Sequence, residues 1–250
     1  MNTEKVAIIT GSGRGIGAAT ARMLAADGYG VCINYRSNDN AALALLDELQ
    51  ESGFRAMAIK ADVSIEEEVM HLFQKVDHDL GRITALVNNA GILLPQMRLD
   101  EMDAARINRL LTSNITSYFL CSREAVKRMS TLHGGDGGNI VNVSSVAART
   151  GSPGEYTDYA ASKGAIDTLT RGLAVEIANE GIRVNAVRPG FIHTDMHADG
   201  GEPARIERLK DLIPMKRGGR AEEVANAICW LLSDGASYTT GSFIDLAGGK

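Results

Sequence analysis

The sequence Lys5-Val6-Ala7-Ile8-Ile9-Thr10-Gly11-Ser12-Gly13-Arg14-Gly15-Ile16-Gly17 decides the fold of this chain. It opens with a short apolar, β-branched run, which is typical of a buried parallel strand. The glycines then lead into a helical stretch that extends to Ala26. Glycines at such a turn let the backbone approach a pyrophosphate, and the helix N-terminus offers free N–H groups. The turn therefore predicts nucleotide binding, and Gly13, Gly15 and Ala18 formally meet the dinucleotide pattern G-x-G-x-x-G/A.

Short apolar runs alternate with helical patterns along the rest of the chain. The predicted strands lie near residues 5–10, 30–34, 55–60, 84–88, 138–143, 182–187 and 242–245. The predicted helices cover residues 15–27, 40–52, 65–79, 100–130 in two pieces, 157–179 and 221–233. This alternation predicts an α/β protein with a single-domain Rossmann fold, a doubly wound parallel sheet of about seven strands with helices on both faces. No linker or repeat divides residues 1–250, so we expect one dinucleotide-binding and catalytic domain.

The composition limits the classes of partner. A net charge of −5, without a basic stripe carrying aromatic residues, argues against nucleic-acid binding. No apolar run approaches the length of a membrane span, and the amino terminus lacks the features of a signal peptide. We therefore expect a soluble cytoplasmic protein. Cys32, Cys121 and Cys229 follow no pattern and lie in apolar stretches, which indicates reduced cysteines rather than disulfides or metal ligands.

Several kinds of catalytic centre have no signature in the chain. There is no glycine-flanked serine, P-loop, His-Glu-x-x-His or Cys-x-x-Cys motif. His193 and His197 are four residues apart, but their stretch is interrupted by glycine and proline and offers no third ligand. We interpret it as a polar loop and expect no metal site.

Tyr159 and Lys163 lie four residues apart in a helical stretch, which places both side chains on one helix face. An ammonium group beside a phenol favours the phenolate. At roughly 4 Å and an effective dielectric of about 20, the attraction is about 4 kcal/mol. That equals about three pKa units, which would bring the pKa of a tyrosine from about 10 towards 7. Such a pair is usually a solvated helix face, but this pKa would suit a general acid/base.

Several motifs occur in the order and at about the spacing of the short-chain dehydrogenase/reductase family. They are Thr10-Gly-x-x-x-Gly15-x-Gly17, Asn88-Asn89-Ala90-Gly91, Asn114, Ser145, Tyr159-x-x-x-Lys163 and Pro189-Gly190. The resemblance extends from Lys5 to Gly249. It implies an oxidoreductase that transfers a hydride between a nicotinamide and the carbonyl or alcohol of a small molecule.

The resemblance also implies catalytic roles. Tyr159 is expected to be the general acid/base, and Lys163 to lower its pKa and to bind the nicotinamide ribose. Ser145 is expected to polarise the substrate carbonyl. Ser144 is its alternative, because the gap from Ser145 to Tyr159 is one residue longer than in many relatives. Asn114 interrupts a helical pattern, which by itself predicts a kink. In the family it holds a water that links Lys163 to solvent.

Cofactor contacts are implied in four segments and at the catalytic pair. The residues are Gly11, Ser12, Arg14, Gly15, Ile16 and Gly17; Arg36 and Ser37; Asp62, Val63, Asn89, Ala90 and Gly91; Pro189, Gly190, Ile192 and Thr194; and Tyr159 with Lys163. Asp62-Val63 is expected at the adenine, and the Asn89 segment at the adenosine ribose. The segment from Pro189 to Thr194 is expected to close over the nicotinamide.

The end of the second predicted strand favours NADP(H) over NAD(H). An NAD enzyme normally carries an acidic residue about 20 residues after the glycine turn, where it binds the ribose 2′-hydroxyl. Here no acid occurs until Asp39. Arg36 is placed for a charge-assisted contact to a 2′-phosphate, and Ser37 adds a hydroxyl. Arg14 is expected to supply a second positive charge on the same side.

The substrate is not readable from the sequence. In this family it is determined by three loops, here residues 92–98, 149–157 and 191–216, which we name the specificity loops. A 3-oxoacyl-carrier-protein reductase is one alternative, but relatives of that type tend to carry arginines where this chain has residues 134–138 and Asn179-Glu180. A non-catalytic dinucleotide-binding regulator is a distant alternative, against which the complete catalytic set argues.

The chain is also expected to form a homotetramer. Relatives make subunit contacts through regions equivalent to the apolar stretches 224–232 and 242–246, and helices 100–130 and 157–179 could form a second interface.

Overall fold

A computed structural model describes residues 5–250. Seven strands form one sheet: β1 (Val6–Ile9), β2 (Gly30–Tyr35), β3 (Ala56–Lys60), β4 (Ala85–Asn88), β5 (Gly138–Val143), β6 (Ile182–Pro189) and β7 (Phe243–Leu246). Their order is β3-β2-β1-β4-β5-β6-β7, and neighbouring strands all pair in parallel. The order reverses between β1 and β4, which opens a crevice at the carboxyl ends of the strands.

The helices are α1 (Gly15–Ala26), α2 (Asp39–Glu51), α3 (Glu66–Asp79), α4 (Ala104–Leu111), α5 (Ser117–Met129), α6 (Ala147–Thr150), α7 (Thr157–Glu176), α8 (Met196–Asp199), α9 (Arg205–Leu209) and α10 (Ala221–Leu232). Strand β1 is fully buried, with Ala7 and Ile9 in one apolar cluster and Val6 and Ile8 in another. Helices α1, α2 and α10 contribute to the first cluster, and α3, α5 and α7 to the second. The predicted sheet with helices on both faces is therefore confirmed.

The predicted long elements agree with the structure to within about four residues at their ends. The stretch predicted as two helical pieces within 100–130 consists of α4 and α5, joined by a π-helical turn at Thr112–Thr116. Helices α6, α8 and α9 were not predicted, because four or five residues carry too little periodicity to identify a helix. Within residues 5–250, no helix combines the length and apolar character needed to cross a membrane.

Candidate active site

The glycine turn after β1 has the geometry of a phosphate cradle. Gly11 and Gly15 have φ angles of 61° and 57°, which favour glycine. A Cβ on Gly17 would lie 2.7 Å from Asn89 Nδ2. Gly13 needs no such freedom, since its φ is not positive and its nearest neighbour would be 3.6 Å from a Cβ. The spacing Gly11, Gly15, Gly17 thus forms the turn, and the formal match through Gly13 and Ala18 was wrong as an account of it.

The N-terminus of α1 is open to an anion. No side chain caps it and no acidic residue lies in its first turn. Its first N–H groups are therefore free to bind phosphate oxygens. The residues present fit a dinucleotide pyrophosphate at this turn.

The crevice holds a cavity of about 540 Å³, which is within the usual range for small-molecule sites. Predicted cofactor residues line much of it: Gly11, Arg14, Gly15, Ile16, Arg36, Ser37, Asp62, Val63, Asn89, Ala90, Gly91 and Thr194. Others lie outside its lining: Ser12, Gly17, Pro189, Gly190, Ile192, Tyr159 and Lys163. Ser12 is buried, and its hydroxyl donates to the carbonyl of Ile9 at 2.7 Å, so its side chain supports the turn from below.

Thr10 and Asn89 close the floor of the cavity. The Thr10 hydroxyl accepts hydrogen bonds from the backbone N–H groups of Asn89 and Ala90 at 2.9 and 3.0 Å. The Asn89 amide donates to the carbonyls of Thr10 and Gly11 at 2.9 and 3.0 Å. These bonds join the ends of β1 and β4 on either side of the crevice.

The two arginines predicted for the 2′-phosphate form ion pairs with different acidic residues. Arg36 remains at the end of β2, where its guanidinium lies 3.7 Å from the carboxylate of Asp62. Arg14 instead forms ion pairs with Asp199 of α8 and, at 3.5 Å, with Asp195. Arg14 and Arg36 nevertheless line the same cavity, so the second positive charge expected from Arg14 stays a prediction. Two carboxylates of the third specificity loop attract its guanidinium.

The two serines at the end of β5 have different partners. The Ser144 hydroxyl donates to the carboxylate of Asp167 at 2.7 Å, which turns it towards the inside of α7. Ser145 forms a side-chain hydrogen bond with Tyr159, and its hydroxyl accepts from the backbone of Ala147 at 3.1 Å. The structure thus brings Ser145, rather than Ser144, to Tyr159.

Lys163 is held differently from the sequence-based expectation. Its ammonium donates to the carbonyl of Val143 at 2.7 Å and to the Tyr118 hydroxyl at 3.2 Å, and lies 5.7 Å from the centre of the Tyr159 ring. Burial raises the pKa of Tyr159 to about 12, although the hydrogen bond with Ser145 opposes this shift. Burial lowers the pKa of Lys163 to about 7. The predicted fall in the Tyr159 pKa is therefore wrong for this structure, because burial dominates and the ammonium is directed elsewhere.

Asn114 lies in the π-helical turn and is fully buried. Its side chain accepts from the N–H of Ile92 at 2.8 Å, and donates to the Ile92 carbonyl at 3.0 Å and to Ser162 at 3.3 Å. The predicted interruption of the helix is confirmed, whereas the water-mediated link to Lys163 stays a prediction. Gly91 lines the cavity and lies close to both Asn114 and Lys163. A Cβ at this position would be 3.4 Å from Asn114 Oδ1 and 3.8 Å from Lys163 Nζ.

The three specificity loops are joined above the site by one ionic cluster. Arg205 is only 6% exposed, pairs with Glu155 and Glu202, and stacks on the ring of Tyr156. Glu202 also accepts from Gln96 at 2.7 Å and from Arg208. Every loop therefore contributes to the cluster.

The two histidines of the third loop differ in their surroundings. His193 is exposed, whereas the ring of His197 lies 6.4 Å from that of Phe191. No group of three or more His, Cys, Asp or Glu side chains able to hold a metal ion occurs in the part of the chain that the structure describes.

Sequence reasoning missed Tyr118, Asp167 and the acidic residues that meet Arg14. Tyr118 follows Asn114 by four residues, a spacing that could have suggested proximity to the same region. Asp167 follows Lys163 by the same interval, on one face of α7.

Comparisons with known proteins find relatives that match nearly the whole chain. A family model described as enoyl-(acyl carrier protein) reductase matches residues 11–250. The chain is 60% identical over 245 residues to the "uncharacterized oxidoreductase YgfF" of Escherichia coli, covering 98% of this chain and 99% of that protein. It is 39% identical over 252 residues to a 3-oxoacyl-[acyl-carrier-protein] reductase of Synechocystis sp., covering 99% and 97%.

A solved short-chain dehydrogenase of Burkholderia cenocepacia in complex with NADP is 32% identical, with a TM-score of 0.90 and coverage of 98% and 97%. The chain therefore belongs to the short-chain dehydrogenase/reductase family, as an oxidoreductase that uses a nicotinamide dinucleotide and acts on CH–OH or C=O groups.

Proposed function

We propose that this protein is an NADP(H)-dependent carbonyl reductase for a small-molecule substrate, with Tyr159 as its general acid. The observation that carries the proposal is the convergence of Ser145, Tyr159 and Lys163. The Ser145 side chain meets Tyr159, and Lys163 lies one turn further along the same helix. A hydroxyl and a phenol side by side can both bind one carbonyl oxygen.

The protein residues would act on the substrate oxygen. The bound cofactor supplies the hydride in reduction and accepts it in alcohol oxidation. Ser145 would hold the oxygen as negative charge develops, and Tyr159 would deliver a proton to it. With a pKa near 12, Tyr159 is protonated at neutral pH, which is the form that a general acid requires.

The preference for NADP(H) rests on Arg36 and Ser37. Both line the cavity, and the nearest following acid, Asp39, is held by Lys60 at 3.0 Å. The Arg36 guanidinium is 46% exposed and 3.7 Å from Asp62, so this pair is weak and can give way to a phosphate. The NADP complex of the Burkholderia cenocepacia relative is consistent with this preference.

A small molecule fits the site better than a carrier protein. Carrier proteins are acidic, so docking would require free cations near the specificity loops. Arg205 and Arg208 are instead neutralised by Glu155 and Glu202, whereas the exposed Lys216 of the third loop donates to the backbone carbonyl of Asp211. The relative from Synechocystis sp. keeps 3-oxoacyl-carrier-protein reduction as the second candidate.

A screen of the purified protein tests the reaction and separates the candidates. NADPH oxidation would be followed with a panel of small ketones and aldehydes and with a 3-oxoacyl-carrier-protein thioester. We expect turnover of small carbonyls and little of the thioester. Higher kcat/KM for the thioester would favour the second candidate. No turnover of any compound, with tight NADPH binding, would favour a non-catalytic dinucleotide-binding regulator.

We further propose a homotetramer. Phe119 of α5 and Val175 of α7 are 52% and 82% exposed, and Trp230 of α10 is also exposed. These side chains lie on the helices for which the sequence predicts subunit contacts. Light scattering that gave a monomer at micromolar concentration would contradict the assembly but not the reaction.

Two further expectations stay predictions. The first is that residues 1–250 form one catalytic unit with its substrate loop at 191–216, and the second is a cytoplasmic location.

A further inference from the structure

Tyr118 is in direct contact with the ammonium group of Lys163. Lys163 Nζ donates to Val143 O at 2.7 Å and to Tyr118 Oη at 3.2 Å, while Tyr118 Oη donates to the same carbonyl at 2.9 Å. The three polar atoms thus form a closed triangle. The ammonium also lies 5.1 Å from the centre of the Tyr118 ring, within the range of a cation–π contact.

The fold places this tyrosine through the π-helical turn. Tyr118 is the second residue of α5, directly after Thr112–Thr116, and is 1% exposed. Burial holds the pKa of Tyr118 well above its usual value, so its hydroxyl stays neutral. A neutral hydroxyl accepts a hydrogen bond from an ammonium and offers no acidic proton at neutral pH.

An ammonium group has three N–H donors, and Val143 and Tyr118 accept from two of them. One donor remains for groups on the Tyr159 side. The titratable groups that face Lys163 are Tyr159 and Asp167 on its own helix and Tyr118 on α5. Asp167 is already engaged with Ser144 and Arg188. Tyr118 is therefore the side chain, among the described residues, that contacts the ammonium by hydrogen bond.

We propose that Tyr118 is a positioning residue for Lys163: its hydroxyl and ring favour the ammonium form of the buried amine, and its hydroxyl fixes one N–H group while the Val143 carbonyl fixes another, so that the third is directed towards Tyr159. The role rests on the proposed function, since it acts through the catalytic pair. Burial alone favours the neutral amine, and it lowers the pKa of Lys163 to about 7. A hydrogen-bond acceptor for the charged form opposes that effect.

Tyr118→Phe tests this role because it keeps the ring and removes only the hydroxyl. A hydrogen bond to a charged group contributes enough that its loss should lower the Lys163 pKa by about one unit. Lys163 would be titrated directly by NMR of protein labelled with 13C at the lysine ε-carbon, with its resonance assigned through Lys163→Met. We expect the titration and the basic limb of the kcat profile to move together to lower pH, with the substrate KM little changed.

Tyr29→Phe is the matched control. Tyr29 is also a buried tyrosine with a lysine near its ring, but it precedes β2 at the opposite end of the sheet. In Tyr29→Phe, neither the NMR titration of Lys163 nor the pH profile of kcat should move. An unshifted Lys163 titration in Tyr118→Phe would overturn the proposal. A shifted titration together with full activity of Tyr159→Phe would support the Tyr118–Lys163 coupling and overturn the proposed function instead.

Discussion

The guanidinium of Arg188 donates two hydrogen bonds, of 3.0 and 2.8 Å, to one carboxylate oxygen of Asp167. The two side chains are only 10% and 9% exposed. The other oxygen of Asp167 accepts from Ser144 at 2.7 Å. Asp167 therefore joins α7 to Ser144, at the end of β5, and to Arg188 in β6.

Breaking this pair should destabilise the protein. Asp167→Asn keeps the shape of the side chain but leaves Arg188 without its main counterion, which typically costs about 3–5 kcal/mol for a buried pair. Urea unfolding would measure the loss. Asp79→Asn, which disrupts an exposed pair with Lys75, should change stability little. Equal effects of the two substitutions would contradict a structural role for the buried pair.

Tyr159→Phe should abolish turnover while leaving NADPH binding nearly intact. Only the phenolic proton is removed, and loss of a general acid typically lowers the rate by about 10²–10⁴-fold. Lys163→Ala should weaken both turnover and NADPH binding, since Lys163 is assigned to the nicotinamide ribose as well as to Tyr159. Steady-state kinetics and fluorescence titration of NADPH would separate the two. A loss of kcat below about tenfold in Tyr159→Phe would exclude the general-acid role.

Alanine substitutions of the two serines at the end of β5 should have different effects on kcat and on stability. Ser145→Ala should lower kcat by about 10²–10³-fold, the usual cost of removing a donor to a developing oxyanion. Ser144→Ala should keep most of the activity and cost about 1 kcal/mol of stability through its lost bond to Asp167. Measuring kcat and unfolding for both variants checks the assignment, and the reverse order of effects would make Ser144 the catalytic serine.

Arg36→Asp should shift the cofactor preference towards NADH. The change replaces a cation that attracts the 2′-phosphate with an anion that repels it and can accept from the free ribose hydroxyl. The ratio of kcat/KM for NADPH to that for NADH should fall by about 100-fold. Arg22→Asp makes the same charge change on α1, outside the cavity lining, and should leave the ratio unchanged. A wild-type ratio at or below one would contradict the predicted preference for NADPH.

Lys163 should make stability depend on pH. Its pKa falls from 10.5 to about 7 on folding, so between these values the unfolded chain binds a proton that the native protein does not. This group therefore contributes stability that rises with pH, by an amount on the order of a few kcal/mol. Above about pH 8.5 the buried Cys32, Cys121 and Cys229 act in the opposite direction, because burial raises their pKa values and only the unfolded chain loses their protons. Urea unfolding from pH 7 to 8.5 should show the rise, and Lys163→Met should flatten it. An identical slope in both proteins would contradict the lowering of the Lys163 pKa by burial.

The order of strands and helices was predictable because buried parallel strands leave continuous apolar runs, as in residues 6–9 and 85–88. The catalytic set was recognisable through the resemblance of several motifs in register to one family, since a Tyr-x-x-x-Lys pair alone is usually a solvated helix face. The pKa values of Tyr159 and Lys163 were not predictable. They depend on burial and on the direction of one flexible lysine chain, and its acceptors, Val143 and Tyr118, are distant in sequence.

The charge contacts around the cavity were likewise hidden from the sequence. Arg14 and Asp199 are separated by 185 residues, and no periodicity links a glycine turn to a short helix in a late loop. The family motif names Gly11, Gly15 and Gly17, the glycines that φ angle and contact require in the structure, whereas the general dinucleotide pattern counts spacing alone and falls on Gly13 and Ala18.

The ionic cluster of the specificity loops has a consequence for how substrate preference can evolve. Because Glu202 serves Gln96, Arg205 and Arg208, and Arg205 also pairs with Glu155 of the second loop, a substitution in one loop alters the partners left to the others. The effects of substitutions at these positions will not add. Variants selected one position at a time would therefore miss the combinations that retain a closed site, and libraries that vary all three loops together are the appropriate route to new substrates.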